Sequence, residues 1–135
     1  MALNPKTGVA RRNAALDAAF DALNSDLFGI FDGTQPTDAD TALGAQVLLA
    51  ELTMNSTAFA AASAGSKSAN AITQDSSANA TGTAAWASLY ETSRSTVGFL
   101  DMSAGTSGAN LNLNSVSISS GAAVSCSSLV ISQAA

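Results

Sequence analysis

The sequence predicts a mainly β protein: an antiparallel β-sandwich of jelly-roll or immunoglobulin-like form, preceded by one N-terminal amphipathic helix. Three observations lead there. Charge is concentrated at the start, and beyond Asp40 only Glu51, Lys67, Asp75, Glu91, Arg94 and Asp101 carry any. The rest of the chain is Ala, Ser, Thr, Gly and Asn alternating with Val, Ile and Leu, which suits the two-residue period of half-buried strands. Turn signals such as Asp32-Gly33, Gly105-Thr106-Ser107-Gly108 and Gly121 punctuate these runs at short intervals, as in sandwiches and barrels.

The helix is read between Thr7 and Asn24. Val9, Leu16, Ala19, Phe20 and Leu23 recur at helical spacing, while Arg11, Arg12, Asp17 and Asp21 take the other face as solvated charge. Thr7 or Asn4 is the candidate cap, and Asn24-Ser25 the stop. Arg11 and Arg12 lie near the helix start, where the macrodipole disfavours cations, so a tie to an acidic neighbour or partner is the alternative for them. Residues 1–25 are accordingly an arm and helix, and residues 26–135 the sandwich domain.

The strands come in order after the helix. Leu27–Phe31 is a short apolar run entering the Asp32-Gly33 turn, and the proline-bearing stretch from Thr34 to Asp40 is a loop. Val47–Met54 alternates, with Leu48, Ala50, Leu52 and Met54 on one face and Val47, Leu49, Glu51 and Thr53 on the other. Phe59 is an inward anchor, and Ala60–Ser68 is either an edge segment or a flexible loop. Ala69–Thr73 is a further strand, ended by Asp75-Ser76-Ser77. Ala84–Thr92 puts Trp86, Ser88 and Tyr90 on one face and pairs with Thr96–Met102 through Ser93-Arg94-Ser95. Leu111 and Leu113, then Val116 and Ile118, alternate. In the last strand, Ala123–Ser132, the buried set changes parity between Val124/Cys126 and Leu129/Ile131, which calls for a bulge near Ser127-Ser128.

Composition narrows the function. With 135 residues the chain fits one domain with its own core. Apolar residues make up 47% and charged residues 11%, against roughly 25% charged in ordinary soluble domains, so the surface is suited to being covered. A mean hydropathy of +0.23 argues against disorder of the whole chain. A net charge of −5 and five scattered basic residues argue against direct nucleic-acid binding. No apolar run is long enough for a membrane helix, and Met1-Ala2-Leu3-Asn4-Pro5-Lys6 lacks a secretory core, which points to synthesis in the cytoplasm. Asn55-Ser56-Thr57 and Asn79-Ala80-Thr81 match glycosylation sequons but are read as turns.

No residue is nominated as catalytic, cofactor-binding or metal-ligating. The chain has no histidine, so neither its serines nor the lone Cys126 has an activating base, and Cys126 is read as a small buried strand residue. Asp32, Asp38 and Asp40 offer oxygen ligands for calcium, but their spacing fits no EF-hand loop and a solvated acidic loop is preferred. Gly105-Thr106-Ser107-Gly108 lacks the lysine of a P-loop. Glu51, Asp75, Glu91 and Asp101 are too scattered to nominate a glycosidase pair. Trp86 and Tyr90 are assigned to a core or subunit interface in preference to a sugar-binding platform.

The order helix, Ile30-Phe31-Asp32-Gly33-Thr34-Gln35-Pro36, Leu48-Leu49-Ala50-Glu51-Leu52, Ala71-Ile72-Thr73, Ala80-Thr81-Gly82-Thr83-Ala84-Ala85-Trp86 and Gly105-Thr106-Ser107-Gly108-Ala109-Asn110-Leu111-Asn112-Leu113-Asn114 resembles a family of small tailed-bacteriophage virion proteins. The similarity runs from the helix to Ile131, and the loop at residues 32–36 and the run at 105–114 are its more specific parts. The resemblance implies a non-enzymatic role on the capsid exterior, as a decoration (cement) protein bound to the major capsid protein. Copies of the chain would form a trimer or other small cyclic oligomer, with no cofactor. A head–tail connector or tail role, and a receptor- or glycan-binding module, are the alternatives.

Overall fold

The computed structural model describes residues 5–91, 93–94 and 98–133, and among them one helix precedes nine strands. These are α1 (Val9–Phe20), β1 (Leu27–Phe31), β2 (Leu48–Thr53), β3 (Ser66–Ser68), β4 (Gly82–Thr83), β5 (Trp86–Tyr90), β6 (Leu100–Gly105), β7 (Leu111–Leu113), β8 (Ser117–Ile118) and β9 (Cys126–Ser132). Seven form one sheet in the order β2-β1-β5-β6-β7-β9-β3, and β4 pairs with β8 in a second. The fold is mainly β behind a single helix, as the alternation predicts, in a curled, sandwich-like form.

The curl is visible in the links between the two outer strands. Thr53, at the end of β2, and Thr73 exchange backbone bonds of 3.2 and 2.9 Å. Ala60 donates to the Ser68 carbonyl and Asn70 to the Ala58 carbonyl, carrying the ribbon along to β3. The sheet's open edges are thereby tied together, which removes an exposed template for strand addition.

Ala50 and Leu52 face inward as the alternation predicts, whereas Leu48, expected on their face, sits beside Phe31 on the other one because a bulge intervenes. Leu52, Phe28 and Leu89 lie side by side across β2, β1 and β5, with Ala50, Ile30 and Ala87 in the next row, and all six are fully buried. Each of the large ones contributes about 1.5–3 kcal/mol by leaving water. Leu49, assigned to the other face of β2, is also fully buried. The pairing passes from Ile30↔Ala50 to Phe31↔Leu48, so Leu49 is a bulged residue, and its carbonyl accepts Asn79 at 2.7 Å. Ile118 of the small sheet joins the same core. In β9 the predicted bulge is present: Asn112 pairs with Ser128 and Leu113 with Cys126, so Ser127 is the extra residue and its hydroxyl donates to the Asn112 carbonyl at 3.0 Å.

Other expectations need correction. The helix is shorter than Thr7 to Asn24, and its N-cap is Gly8, which offers no side-chain cap; Thr7 does not serve, and Asn4 lies outside the described residues. Val9 and Ala19 are exposed, because the face turned to the sheet is Asn13, Leu16, Asp17 and Phe20. Ala69–Thr73 is not a continuous strand; it bridges only at Ala69 and Thr73, while β3 lies just before it. Its would-be partner holds the Asn55-Ser56-Thr57 turn, closed by the Thr57 N–H on Asn55 Oδ1 at 3.0 Å, and the Asn55 and Asn70 side-chain amides bond across the gap instead. Ser95 and Thr96, assigned to the hairpin turn and the start of its second strand, lie outside the described residues.

One pair departs from the antiparallel pattern: β6 and β7 run parallel, Ala104 beside Leu111 and Gly105 beside Asn112. Parallel neighbours usually need a long crossover, whereas here residues 106–110 suffice. Gly108 takes a positive φ of 69°, Asn110 N–H bonds Ser103 Oγ at 3.2 Å, and Asn112 Oδ1 accepts the Ala109 N–H at 3.3 Å. Asparagine side chains thus replace part of a ladder between β6 and β7.

Gly29, in the middle of β1, tests the packing of the outer face. A Cβ there would fall on the Tyr90 hydroxyl and lie 2.7 Å from Tyr90 Cε1 and 2.8 Å from Phe31 Cε2. Gly29→Ala should destabilise by about 1–3 kcal/mol through overpacking. Gly8→Ala, with nothing within 4 Å of the added atom, should lose only the preference of a helix N-cap for Gly over Ala and so cost less than Gly29→Ala, both read by urea denaturation.

Candidate functional site

On the outward face of the sheet, residues pair across strands into rows. Leu48, Phe31, Trp86 and Ser103 form one; Glu51, Gly29, Ser88 and Asp101 form the next; Thr53, Leu27 and Tyr90 form a third. Phe31 stacks on Trp86 at 4.6 Å between ring centroids, and with Tyr90 they make a second small core, packed by Leu27, Leu43 and Leu48. β5 is therefore buried on both faces. Trp86 and Tyr90, 1% and 2% exposed, belong to this core and offer no exposed platform for a sugar.

The polar row carries an ionic cluster. Arg94 is 2% exposed and makes a two-pronged contact with Asp101, Nε to Oδ1 at 3.1 Å and NH2 to Oδ2 at 2.7 Å. Its Nε also reaches Ser88 Oγ and its NH1 the Thr41 carbonyl, both at 3.1 Å, and its guanidinium carbon lies 5.9 Å from the Trp86 ring centroid. Gly98 permits this approach, since a Cβ there would lie 2.5 Å from Ser88 Oγ and 2.7 Å from Arg94 Nε. Tyr90 reaches across Gly29 and donates to Glu51 Oε2 at 2.6 Å; burial first, then that carboxylate, push its pKa far above the ordinary tyrosine range. Beside this cluster Phe31, Leu43, Leu48, Glu51, Tyr90 and Arg94 line an open cleft of about 190 Å³.

A second cluster fastens the helix. Lys67 of β3 is 1% exposed, and its ammonium meets Asp17 Oδ1 at 2.5 Å, Asp21 Oδ1 at 2.7 Å and the Ala60 carbonyl at 3.0 Å. Three acceptors match the three protons of an ammonium. Burial alone would lower the lysine pKa, but the hydrogen bonds to Asp17 and Asp21 outweigh it and raise it. The same bond, with the Ala62 N–H, holds Asp17 below the usual carboxylate range. Asn13 Oδ1 accepts the Gly65 N–H at 2.9 Å and completes the seam. Asp17 and Asp21, expected as solvated helix surface, also serve as the counter-ions of a buried lysine, Asp21 while still largely exposed and Asp17 at the edge of the seam.

The remaining sequence candidates are dispersed into structural roles. Asp32 Oδ1 accepts the Val47 N–H at 2.6 Å and Asp38 Oδ1 the Thr41 hydroxyl at 2.8 Å, which pins the acidic loop. Among the described residues no three acidic or thiol groups come together as a metal site. Asp75 accepts the Glu51 and Ser77 N–H groups. Asp26 has its pKa raised by burial and by the neighbouring charge of Glu91. Cys126, half-buried at the start of β9, donates to the Ser128 carbonyl at 3.3 Å, and burial pushes its thiol up to about 11, far from the thiolate a nucleophile needs.

The outward face of the other half of the sheet is different. Asn112, Ser128, Ser132, Ser66 and Ser68 project across β7, β9 and β3 around one exposed apolar residue, Val130, without a charge among them. No family model, curated protein or solved structure matches the chain.

The two ionic clusters set measurable stabilities. Arg94→Met or Asp101→Leu should each cost about 3–5 kcal/mol in urea denaturation, because each strands a buried charge, while the two together should cost less than the sum of the single changes. Stability should also fall on both sides of a neutral plateau. The contribution of Asp17, whose pKa is depressed, is present above about pH 3.9 and lost as pH falls through its folded value; those of Lys67 and Tyr90, whose pKa values are raised, are complete below about pH 10 and lost on going alkaline. Asp17→Asn should flatten the acid limb, measured as urea midpoint against pH.

Proposed function

We propose that the chain is a non-enzymatic structural protein of a tailed-phage virion, and foremost a capsid decoration protein that attaches to the major capsid protein and stabilises its lattice on the capsid exterior. The uncharged outer face of β7, β9 and β3 carries this reading. Serine and asparagine side chains can be covered by a neighbour at a lower desolvation cost than charges, and they pair readily through direct or water-mediated hydrogen bonds. The resemblance of the 32–36 and 105–114 stretches to small phage virion proteins supports the same role. Each copy needs only a modest affinity, since a shell repeats the contact many times.

The ionic clusters accord with a structural role. Arg94 and Asp101, Lys67 with Asp17 and Asp21, and Tyr90 with Glu51 hold layers of the fold together. Assembly would take place in the host cytoplasm, with no direct contact to nucleic acid or membrane. A connector or tail position is the competing reading, and stoichiometry separates the two. Quantitative mass spectrometry of purified virions should find this chain in hundreds of copies, in a fixed ratio to the major capsid protein; a count equal to one ring would place it at the neck or tail instead.

A further inference from the structure

The cleft beside the ionic cluster, at about 190 Å³, is smaller than the roughly 300–1,000 Å³ of ordinary small-molecule sites. Its size suits a single side chain entering from outside. Phe31, Leu43 and Leu48 supply an apolar wall, and Glu51 supplies a half-buried carboxylate that accepts Tyr90 through Oε2. Arg94, also in the wall, already binds Asp101 through two bonds, so the charge left for a newcomer is that of Glu51. An aliphatic stem ending in a cation, lysine or arginine, matches both halves of this lining.

The chain itself carries such side chains in one place. Of its five basic residues, Lys67 and Arg94 are buried in the two ionic clusters, and the other three, Lys6, Arg11 and Arg12, lie within seven residues at the start of α1. Lys6 and Arg11 are exposed. The first turn of α1 contains no acidic residue, and Arg12 Nε is buried without an acceptor among the described residues. Cations at a helix N-terminus are repelled by the macrodipole, so carboxylates from outside would relieve that end of the helix.

We propose that the basic stretch from Lys6 to Arg12 of one copy docks on the Glu51 cleft of a second copy, placing a lysine or arginine side chain against that carboxylate. The two surfaces differ, so the contact is heterologous and head-to-tail, closing into a ring when the rotation between copies permits. It requires no capsid and stands independently of the virion reading.

The test uses the full chain. At about 20 mM ionic strength, sedimentation should show concentration-dependent assemblies that dissociate at about 0.5 M, where the Debye length is only a few ångströms. Lys6→Glu with Arg11→Glu changes exposed positions and should abolish assembly without lowering the urea midpoint; Glu51→Gln, which still offers Tyr90 an acceptor, should also abolish it. Carbodiimide treatment of mixed light and heavy-isotope copies should join Lys6 of one copy to Glu51 of another. A wild-type chain that stays monomeric at low salt, or one whose assembly survives Lys6→Glu with Arg11→Glu, overturns the proposal and leaves the cleft to a different partner.

Discussion

Holding an arginine at 2% exposure between a sheet and its covering loops leaves the protein little freedom around it. An unpaired guanidinium there would cost several kcal/mol, so the neighbouring strands must bring a carboxylate in two-pronged geometry, and Asp101 of β6 does so. The approach requires small residues on both sides, hence Ser88 in β5 and Gly98 ahead of β6. It also requires a lid, and the Thr41 carbonyl supplies that from the loop between β1 and β2. The outer layer is in this sense arranged around one charge. Trp86, stacked on Phe31 and lying under Arg94, links that charge to the aromatic core.

The same economy governs the helix. Leu16 is the fully buried apolar residue of α1, with Phe20 tilted against Phe59 at 6.0 Å, and this is a narrow apolar stripe for a helix of its length. Polar contacts make up the difference: Asn13 and Asp17 satisfy backbone N–H groups of residues 62 and 65, and Asp17 and Asp21 neutralise Lys67. Such a seam is directional where apolar packing is not, because each group fits only one partner. The helix is thereby fixed in rotation and in register against β3.

These arrangements mark the boundary of what the sequence discloses. Strands with a strict two-residue alternation are legible: the Asp32-Gly33 turn bounds β1, and the parity change in β9 requires the bulge found at Ser127. Fully buried β5 is legible too, because Trp86 and Tyr90 fall on one parity and Ala87 and Leu89 on the other. What periodicity cannot show is a polar residue turned inward. Asp17 lies at the edge of the apolar face of α1 and reads from its charge as one more surface residue, and its partner lies fifty residues away. The available signal is Lys67 itself, a single cation in a stretch of Ala, Ser and Gly, where a charge with no local counter-ion has to find a distant one. Ala69–Thr73 misleads for a different reason, since its interruption belongs to the Asn55 turn opposite and not to its own residues.

Asparagine explains why one short stretch carries so much of the topology. Asn110, Asn112 and Asn114 alternate with Leu111 and Leu113, which are buried, so the amides line the outer side of β7. Each bonds to backbone or serine groups that a regular ladder would otherwise have to satisfy: Asn112 to Ala109 and Ser128, Asn114 to the Ser125 N–H, Asn110 to Ser103. An amide both donates and accepts, so it can replace a missing backbone partner on either side. That capacity lets β7 lie parallel to β6 after a five-residue connection, and it leaves the outer face polar without charge. A surface formed this way keeps its hydrogen-bonding groups oriented by the backbone beneath, so a covering subunit would meet a preorganised pattern and lose less side-chain entropy than on a surface of long charged residues.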